Sequence, residues 1–490
     1  MKHAKKARLS SILTGIKCVI FVLALTAGLV LNIVIDRPEK SESENRVLNK
    51  APSFSWDKLW SGEFFSKESA DPNEVGVSQW FADTFPFRES LVTAQRSLEG
   101  LYGIRGTEIH GDVGKGDDIP DAPMTSRAVS SAAVSSEAAS SGYQEITVSE
   151  APDDGTGATP ETLGGILILG DSAYEYYNFS QSAADTYIGA VTRFADKMAG
   201  KAKVYDVVIP TSIAITVPAS VKNSINSSNQ LKAINYIYQS MSSLSGNVTT
   251  VDVYSTLYEH RNDYVYFRTD HHWTPTGAYY AYRELMKAVK KKPVELSYYG
   301  GDLTRVFGGF LGTFYKSTKS AALAANPDTV TAYIPKGYAM TKYQADGITV
   351  DRPDDPDYLP IIRDPSQMDA GAKYWYTFIG GDHALGCLHK TGKEPGAGKK
   401  ICVLVKESYG NCFAPLLCAH YDEVWVVDYR YLKGSLQGLV ERVGATDVFF
   451  LNNTSATRNT NLMKDLSTLV DIEPEPTQVE TSESTQEVTP

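Results

Sequence analysis

From residue 163 onward the chain repeats one pattern: a short uninterrupted apolar run, then a longer segment whose apolar residues fall three and four apart. The runs are ILIL before Gly170, VYDVVIP to Pro210, TTVDVY to Tyr254, KICVLV to Val405, EVWVVD to Asp428 and DVFFL to Leu451. Runs rich in β-branched residues, with no polar residue at every second position, suit strands buried on both faces. Segments such as AADTYIGAVTRFADKMAG and NQLKAINYIYQSMSSL carry the helical spacing. The alternation predicts an α/β fold, a parallel sheet between helices, over residues 163–470. Residues 297–380 break the rhythm with the Gly- and aromatic-rich YYGGDLTRVFGGFLGTFYKS and with PDTVTAYIP, and predict an inserted, mostly β excursion beside the active face.

The rest of the chain divides around this body. The basic stretch MKHAKKAR precedes an uncharged run, Cys18 to Ile35, just long enough to cross a bilayer core of about 30 Å. Residues 1–36 are therefore expected to be a cytoplasmic basic segment and a transmembrane helix, with the C-terminal body extracytoplasmic on a single-pass protein of the cell membrane. A cleaved signal peptide is the rival, with Leu25–Thr26–Ala27 as a poor cleavage site. Residues 37–113, with Trp56, Trp60, Phe64 and Phe65, suggest short amphipathic helices that dock on a neighbour. Residues 114–162 contain SSAAVSSEAASSG and APDDGTGATPET, a low-complexity composition that predicts a disordered insertion. Residues 471–490 hold six acidic residues and no basic one, and predict a disordered tail.

Charge and cysteine content exclude several function classes. Net charge is −11, and the basic N-terminal segment makes the remainder more acidic still, so nucleic acid is not the expected partner. Five irregularly spaced cysteines suit neither a disulfide scaffold nor a zinc ribbon.

In open α/β sheets, sites form beyond the carboxyl ends of the strands. Four such ends carry reactive residues: Asp171–Ser172, Thr211–Ser212, Thr269–Asp270–His271–His272–Trp273 and Lys406–Glu407–Ser408–Tyr409–Gly410–Asn411. On an extended segment Asp270 and His272 point to one side, and His271 and Trp273 to the other. Asp270 can then orient the His272 imidazole, as acid does in a nucleophile–His–Asp triad. The alternatives are a satisfied loop histidine or a metal ligand. Adjacent histidines that point apart do not share one ion easily, and no thiolate pair or HExxH helix supplements them, so no metal is expected. Ser408 follows a buried run and opens a helical segment, where it is either a nucleophile served by free backbone N–H groups or a plain N-cap. Ser172 sits in GDS, the nucleophile block of SGNH esterases, but a strand-to-helix turn explains it equally. His383, in GGDH, is the one leftover histidine on a Gly-rich turn within expected reach.

TDHHWTPTGAYYAY resembles the signature of the DHHW family, whose name matches Asp270 to Trp273 here. The resemblance extends through SENR, FPFR, GDSAYE, VVIPTS, GGDH and KESYGN. This family is similar to the SGNH-like O-acetyltransferases of exported polysaccharides such as alginate. The resemblance implies an SGNH-hydrolase-like fold, an Asp-x-His pair at Asp270 and His272, and a later serine nucleophile at Ser408. Asn411, Gly410, Tyr409, His383 and Trp273 are then the expected oxyanion and substrate-binding residues. Glu407 departs from the family, which usually has aspartate there, and the departure is expected to leave the nucleophile intact while altering its hydrogen bonding. The implied partners are a cell-envelope polysaccharide, the membrane and a membrane acetyl-donor protein, with no cofactor. A non-catalytic envelope protein that keeps the fold for carbohydrate binding or as a scaffold is the alternative.

Overall fold

Buried on both faces, a strand carries apolar side chains at most positions, and the central strands here do, with Asp206 inside one of them and polar residues at strand ends as the exceptions. A computed structural model describes residues 40–41, 46–47, 53–61, 65, 76–84, 115–124, 143–149, 161–163, 165–222, 225–351, 361–364 and 377–474. The chain divides into two units, residues 1–105 with 319–321, and residues 106–318 with 322–490. In the first unit, two two-residue strands, Lys40–Ser41 and Arg46–Val47, pair antiparallel. Helices form at Trp56–Ser61 and Val77–Thr84, inside the segment whose aromatic spacing predicts helices. The transmembrane segment expected in residues 1–36 lies outside the described residues, and among the described residues no helix is long and apolar enough to cross a membrane.

The second unit contains the strands β1 (Glu161–Leu163), β2 (Ile166–Leu169), β3 (Ser172–Glu175), β4 (Lys203–Ile209), β5 (Val248–Thr250), β6 (Thr304–Phe310), β7 (Asp328–Tyr333), β8 (Tyr338–Tyr343), β9 (Leu385–Lys390), β10 (Ile401–Lys406), β11 (Glu423–Asp428) and β12 (Asp447–Asn453). Its longer helices are α1 (Gln181–Lys197), α2 (Gln230–Leu244), α3 (Pro275–Ala288), α4 (Gly410–Leu417), α5 (Leu436–Val443) and α6 (Thr460–Asp471). The main sheet has the order β8-β9-β11-β10-β12-β4-β5. Its five strands from β11 to β5 are parallel, and β8 and β9 extend one edge antiparallel. Strands β10, β11 and β12 are buried along their whole length. Helices α1, α2 and α6 pack together, α3 packs on α4, and these groups cover the sheet. The molecule is thus a mixed α/β protein with a mostly parallel central sheet.

Two expectations are corrected. ILIL is not a strand of the parallel sheet. Gly165 and Gly170, at φ +75° and +58°, make tight turns on either side of it, so β1, β2 and β3 zip into a local antiparallel meander. The excursion at 297–380 supplies strands: β8 pairs with β9 on the main sheet, while β6 and β7 form their own ladder. The low-complexity insertion is not featureless where it is described. Asn235 of α2 accepts from the Ile146 amide and the Tyr143 hydroxyl and donates to the Ile146 carbonyl, and Ile146 lies in the core. The Met124 amide donates to the Ser240 hydroxyl. Residues 125–142 and 150–160 of the insertion, and the tail beyond 474, lie outside the described residues. Cys387, Cys402, Cys412 and Cys418 are buried, and no disulfide joins them.

Candidate active site

Three segments build the site: the turn after β10, the Gly-rich loop before Thr313, and the DHHW segment, which is not the strand end expected but an irregular loop closed by a bridge between Tyr266 and Trp273. The turn after β10 carries Ser408. Its hydroxyl lies 2.8 Å from His272 Nε2, and His272 Nδ1 lies 2.6 Å from Asp270 Oδ1. Asp270 and His272 are each 1% exposed, while Ser408 is half-buried and reachable from solvent. Asp270 Oδ1 also accepts the His272 amide at 3.0 Å, and Oδ2 accepts the Thr313 amide at 2.8 Å. Burial alone would raise the Asp270 carboxyl, but the imidazoles of His272 and His271 and these hydrogen bonds outweigh it and hold it well below the usual range. A carboxylate held ionised at Nδ1 leaves the Nε2 lone pair free to accept the Ser408 proton.

Gly312 makes this possible. A Cβ there would lie 2.2 Å from Asp270 Cβ and 2.5 Å from Oδ2, so only glycine lets the loop close onto the carboxylate. The Gly-rich GGFLGTF segment carried that signal in the sequence, although Thr313 was not singled out from it.

The helix cap explanation for Ser408 fails on geometry. Helix α4 begins at Gly410 with Tyr409 as its cap residue, and no side-chain cap bond is made. The Ser408 hydroxyl instead faces His272 and, at 3.2 Å, Glu407 Oε2. Glu407 is buried beneath the turn, where it accepts the amides of Tyr409 (3.1 Å) and Asn453 (3.2 Å), and burial raises its pKa.

The companion residues make contacts of their own around the serine turn. The Gly410 amide donates to the Glu407 carbonyl and the Asn411 amide to the Ser408 carbonyl. Asn411 Nδ2 donates to Asp382 Oδ1 at 2.9 Å, an orientation fixed by the carboxylate. Both backbone amides are thus engaged, Asn411 Nδ2 keeps a second N–H, and the Ser408 amide donates to no acceptor among the described residues. Tyr409 and Trp273 are fully buried and cannot stack on substrate. The Trp273 indole donates to the Tyr409 carbonyl at 3.0 Å, and the Tyr409 hydroxyl to the His271 carbonyl, which clamps the DHHW segment to the serine turn. His383 is not brought to the serine. Its Nδ1 faces the Gly381 carbonyl at 2.9 Å, and burial, with Lys342 and Lys406 adding, pushes its pKa down to about 3. Its neighbour Asp382 is the GGDH residue that reaches the site. Ser172 sits at the start of β3 with its hydroxyl toward Asp171 at 3.1 Å.

Beneath the turn, Lys406 is fully buried between Asp428 (2.8 Å) and Asp382 (3.2 Å), and Arg430 pairs with the same two carboxylates at 2.6 and 3.0 Å. Asp382 is held well below its ordinary pKa against burial by Lys406 and Arg430. The packed Lys406 side chain requires Gly410, where a Cβ would lie 2.5 Å from Lys406 Cβ.

His271 does not point away from His272: the two rings lie 4.0 Å apart, because His271 Nδ1 turns to the Thr313 hydroxyl at 2.7 Å. Ligand atoms of Asp270, His271 and His272 consequently fall within 4.8 Å of one another. Each ring's Nδ1, the Asp270 oxygens and His272 Nε2 already have hydrogen-bond partners, which a cation would have to displace. Beside His271 opens a cavity of about 440 Å³ whose wall includes Glu175, Tyr176, Asn178, Thr313 and Arg458.

Fold and site together define an α/β protein with a buried Asp–His pair aimed at an accessible serine. A family model described as DHHW protein matches residues 44–145 and 130–427, most of the chain, and the chain belongs to this family. A DHHW family protein from Eubacterium siraeum DSM 15702 is 28% identical, covering 63% of this chain and 97% of its own, with a TM-score of 0.55. Bacillus cereus PatB1 is 14% identical over 63% of this chain and 98% of its own, with a TM-score of 0.44. The O-acetyltransferase domain of Pseudomonas putida AlgJ is 14% identical over 62% of this chain and 96% of its own, with a TM-score of 0.32. No curated protein sequence matches the chain.

Proposed function

We propose that this chain is an SGNH-like serine O-acetyltransferase or acetylesterase, anchored by residues 18–35 with its body outside the membrane, and acting on a cell-envelope polysaccharide. The observation that carries the reading is the hydrogen-bonded series from Ser408 through His272 to Asp270, at 2.8 and 2.6 Å, with only the serine end open to solvent. In the first half-reaction the Ser408 oxygen attacks an acetyl carbonyl while His272 Nε2 takes its proton. The Ser408 amide receives the developing oxyanion. The bond to the donor oxygen then breaks, and that oxygen leaves with the proton from His272. In the second half, a glycan hydroxyl or water gives its proton to His272 and attacks the serine ester, and Ser408 recovers its proton on release. A membrane protein that hands over acetyl groups is the proposed donor partner.

The test is hydrolysis of p-nitrophenyl acetate by the full-length chain in detergent, wild type against Ser408→Ala, with melting temperatures measured in parallel. Loss of turnover in a folded Ser408→Ala chain is the expected result. Equal rates in both, or none in either, would leave a non-catalytic carbohydrate-binding protein as the better account. Cleavage of the body by protease added to intact cells checks its extracytoplasmic side.

A further inference from the structure

GDSAYE resembles a nucleophile block, yet its serine faces Asp171, and its role must lie elsewhere. Its last residue supplies an answer. Glu175, at the end of β3, accepts from Arg458 Nη2 at 2.8 Å and from the Ser455 hydroxyl at 3.0 Å. Both partners of the ion pair line the 440 Å³ cavity, together with Asn178, and His271 and Thr313 form its wall on the side of the Asp–His pair. That volume falls in the range of about 300–1,000 Å³ typical of small-molecule sites. The pair is partly exposed, at 34% for Glu175 and 23% for Arg458.

We infer that this cavity is the acceptor subsite, and that it takes one uncharged sugar residue of a neutral polysaccharide. The inference rests on the reading of Ser408 as nucleophile. The wall offers a carboxylate acceptor, an amide and a guanidinium with five N–H donors, of which the pair with Glu175 takes one. Sugar hydroxyls donate and accept at once, so they match such a mixed set. An anionic residue would not, because the one arginine is already neutralised at 2.8 Å and the chain as a whole carries −11. A cation meets the converse problem at Glu175. A hydrocarbon ligand would desolvate the ion pair with nothing in return. The subsite also adjoins the chemistry: the His271 ring lies 4.0 Å from the His272 ring, and His272 faces Ser408.

The experiment measures binding on the full-length Ser408→Ala chain by calorimetry, so it does not depend on turnover. Cellotetraose and chitotetraose are the neutral probes and tetragalacturonate the anionic one. A neutral tetrasaccharide should bind, and Glu175→Gln should weaken it at least tenfold. Asn178→Trp, which keeps the ion pair and fills the cavity, should do the same, and guards against misfolding of the first variant. The inference is overturned if none of the three probes binds, if tetragalacturonate binds most tightly, or if both folded variants keep affinity within twofold. Saccharide binding together with a wild type inert toward p-nitrophenyl acetate would sink the enzyme reading and leave the subsite standing.

Discussion

Asp206 sits in the middle of β4 with 0% exposure, and among the described residues no cation lies beside its charge. The Tyr187 hydroxyl donates to Oδ1 at 2.5 Å, while Oδ2 is buried without a hydrogen-bond partner among the described residues. Burial raises its pKa from 3.8 to about 7, although the Tyr187 hydrogen bond pulls the other way. The folded chain therefore holds this proton more tightly than the unfolded chain. Its contribution to stability is fully present below about pH 4, is lost as pH rises to about 7, and is flat above. A difference of about 3 pKa units at 1.36 kcal/mol each amounts to about 4 kcal/mol over that window. Asp206→Asn keeps an oxygen for Tyr187 and cannot ionise. It should match wild type near pH 4 and exceed it by up to about 4 kcal/mol at pH 8. Urea melts of both proteins at unit steps from pH 4 to 8 give the difference curve, in which all other titrating groups cancel. A flat difference would show that Asp206 is ionised throughout and that the burial argument is wrong.

Other substitutions address the site and its support. Asp270→Asn removes the charge that fixes the His272 tautomer, and should lower turnover of p-nitrophenyl acetate about 10⁴-fold with the fold retained by circular dichroism. Gly312→Ala forces a Cβ to within 2.2 Å of Asp270 Cβ, and should cost about 1–3 kcal/mol in urea melts and at least tenfold in turnover as the Thr313 amide leaves Oδ2. Lys406→Met leaves Arg430 to serve both Asp428 and Asp382, with one buried negative charge uncompensated, and should destabilise by about 3 kcal/mol.

Strands β4, β10, β11 and β12 were legible in the sequence because burial on both faces writes itself as unbroken apolar runs. The same signal misplaced ILIL, since an apolar run does not say which strand it pairs with, and the two glycines that turn it into a hairpin are a local device. TTVDVY likewise stops as a strand at Thr250, because the Asp252 carboxylate takes the Ser255 amide and hydroxyl and starts a helix at Tyr254. At the site, Asp270 and His272 stood out by residue type and spacing, whereas Ser408 was preferred to Ser172 on the family resemblance; the three lie in one hydrogen-bonded series. Asp382, Thr313 and Gly312 were missed because their roles depend on backbone and side-chain approaches between segments tens of residues apart. Tyr409 and Trp273 were assigned to substrate because aromatic residues serve cores and sugars equally in a sequence, and only burial separates the two uses.

Glu407 gives the last test, because it offers the Ser408 hydroxyl a second acceptor. The proton can go to His272 Nε2 at 2.8 Å or to Glu407 Oε2 at 3.2 Å, and only the first leads to attack. Glu407 is anchored by the Tyr409 and Asn453 amides, so it cannot swing away. Burial raises its pKa, and in its protonated form it competes less for the hydroxyl proton. Aspartate, the residue the family resemblance implies at this position, is one methylene shorter and draws the carboxylate back from the hydroxyl. Releasing a competing hydrogen bond of about 1 kcal/mol should raise the rate of Ser408 labelling by a fluorophosphonate about fivefold in Glu407→Asp. The same change opens a methylene-sized gap and should cost about 1 kcal/mol of stability. The labelling gain should be largest at alkaline pH, where Glu407 in the wild type is ionised, and should shrink as pH falls through its raised pKa. Equal labelling rates across that range would mean that Glu407 does not hold the serine proton, and that its place beneath the turn is one of packing alone.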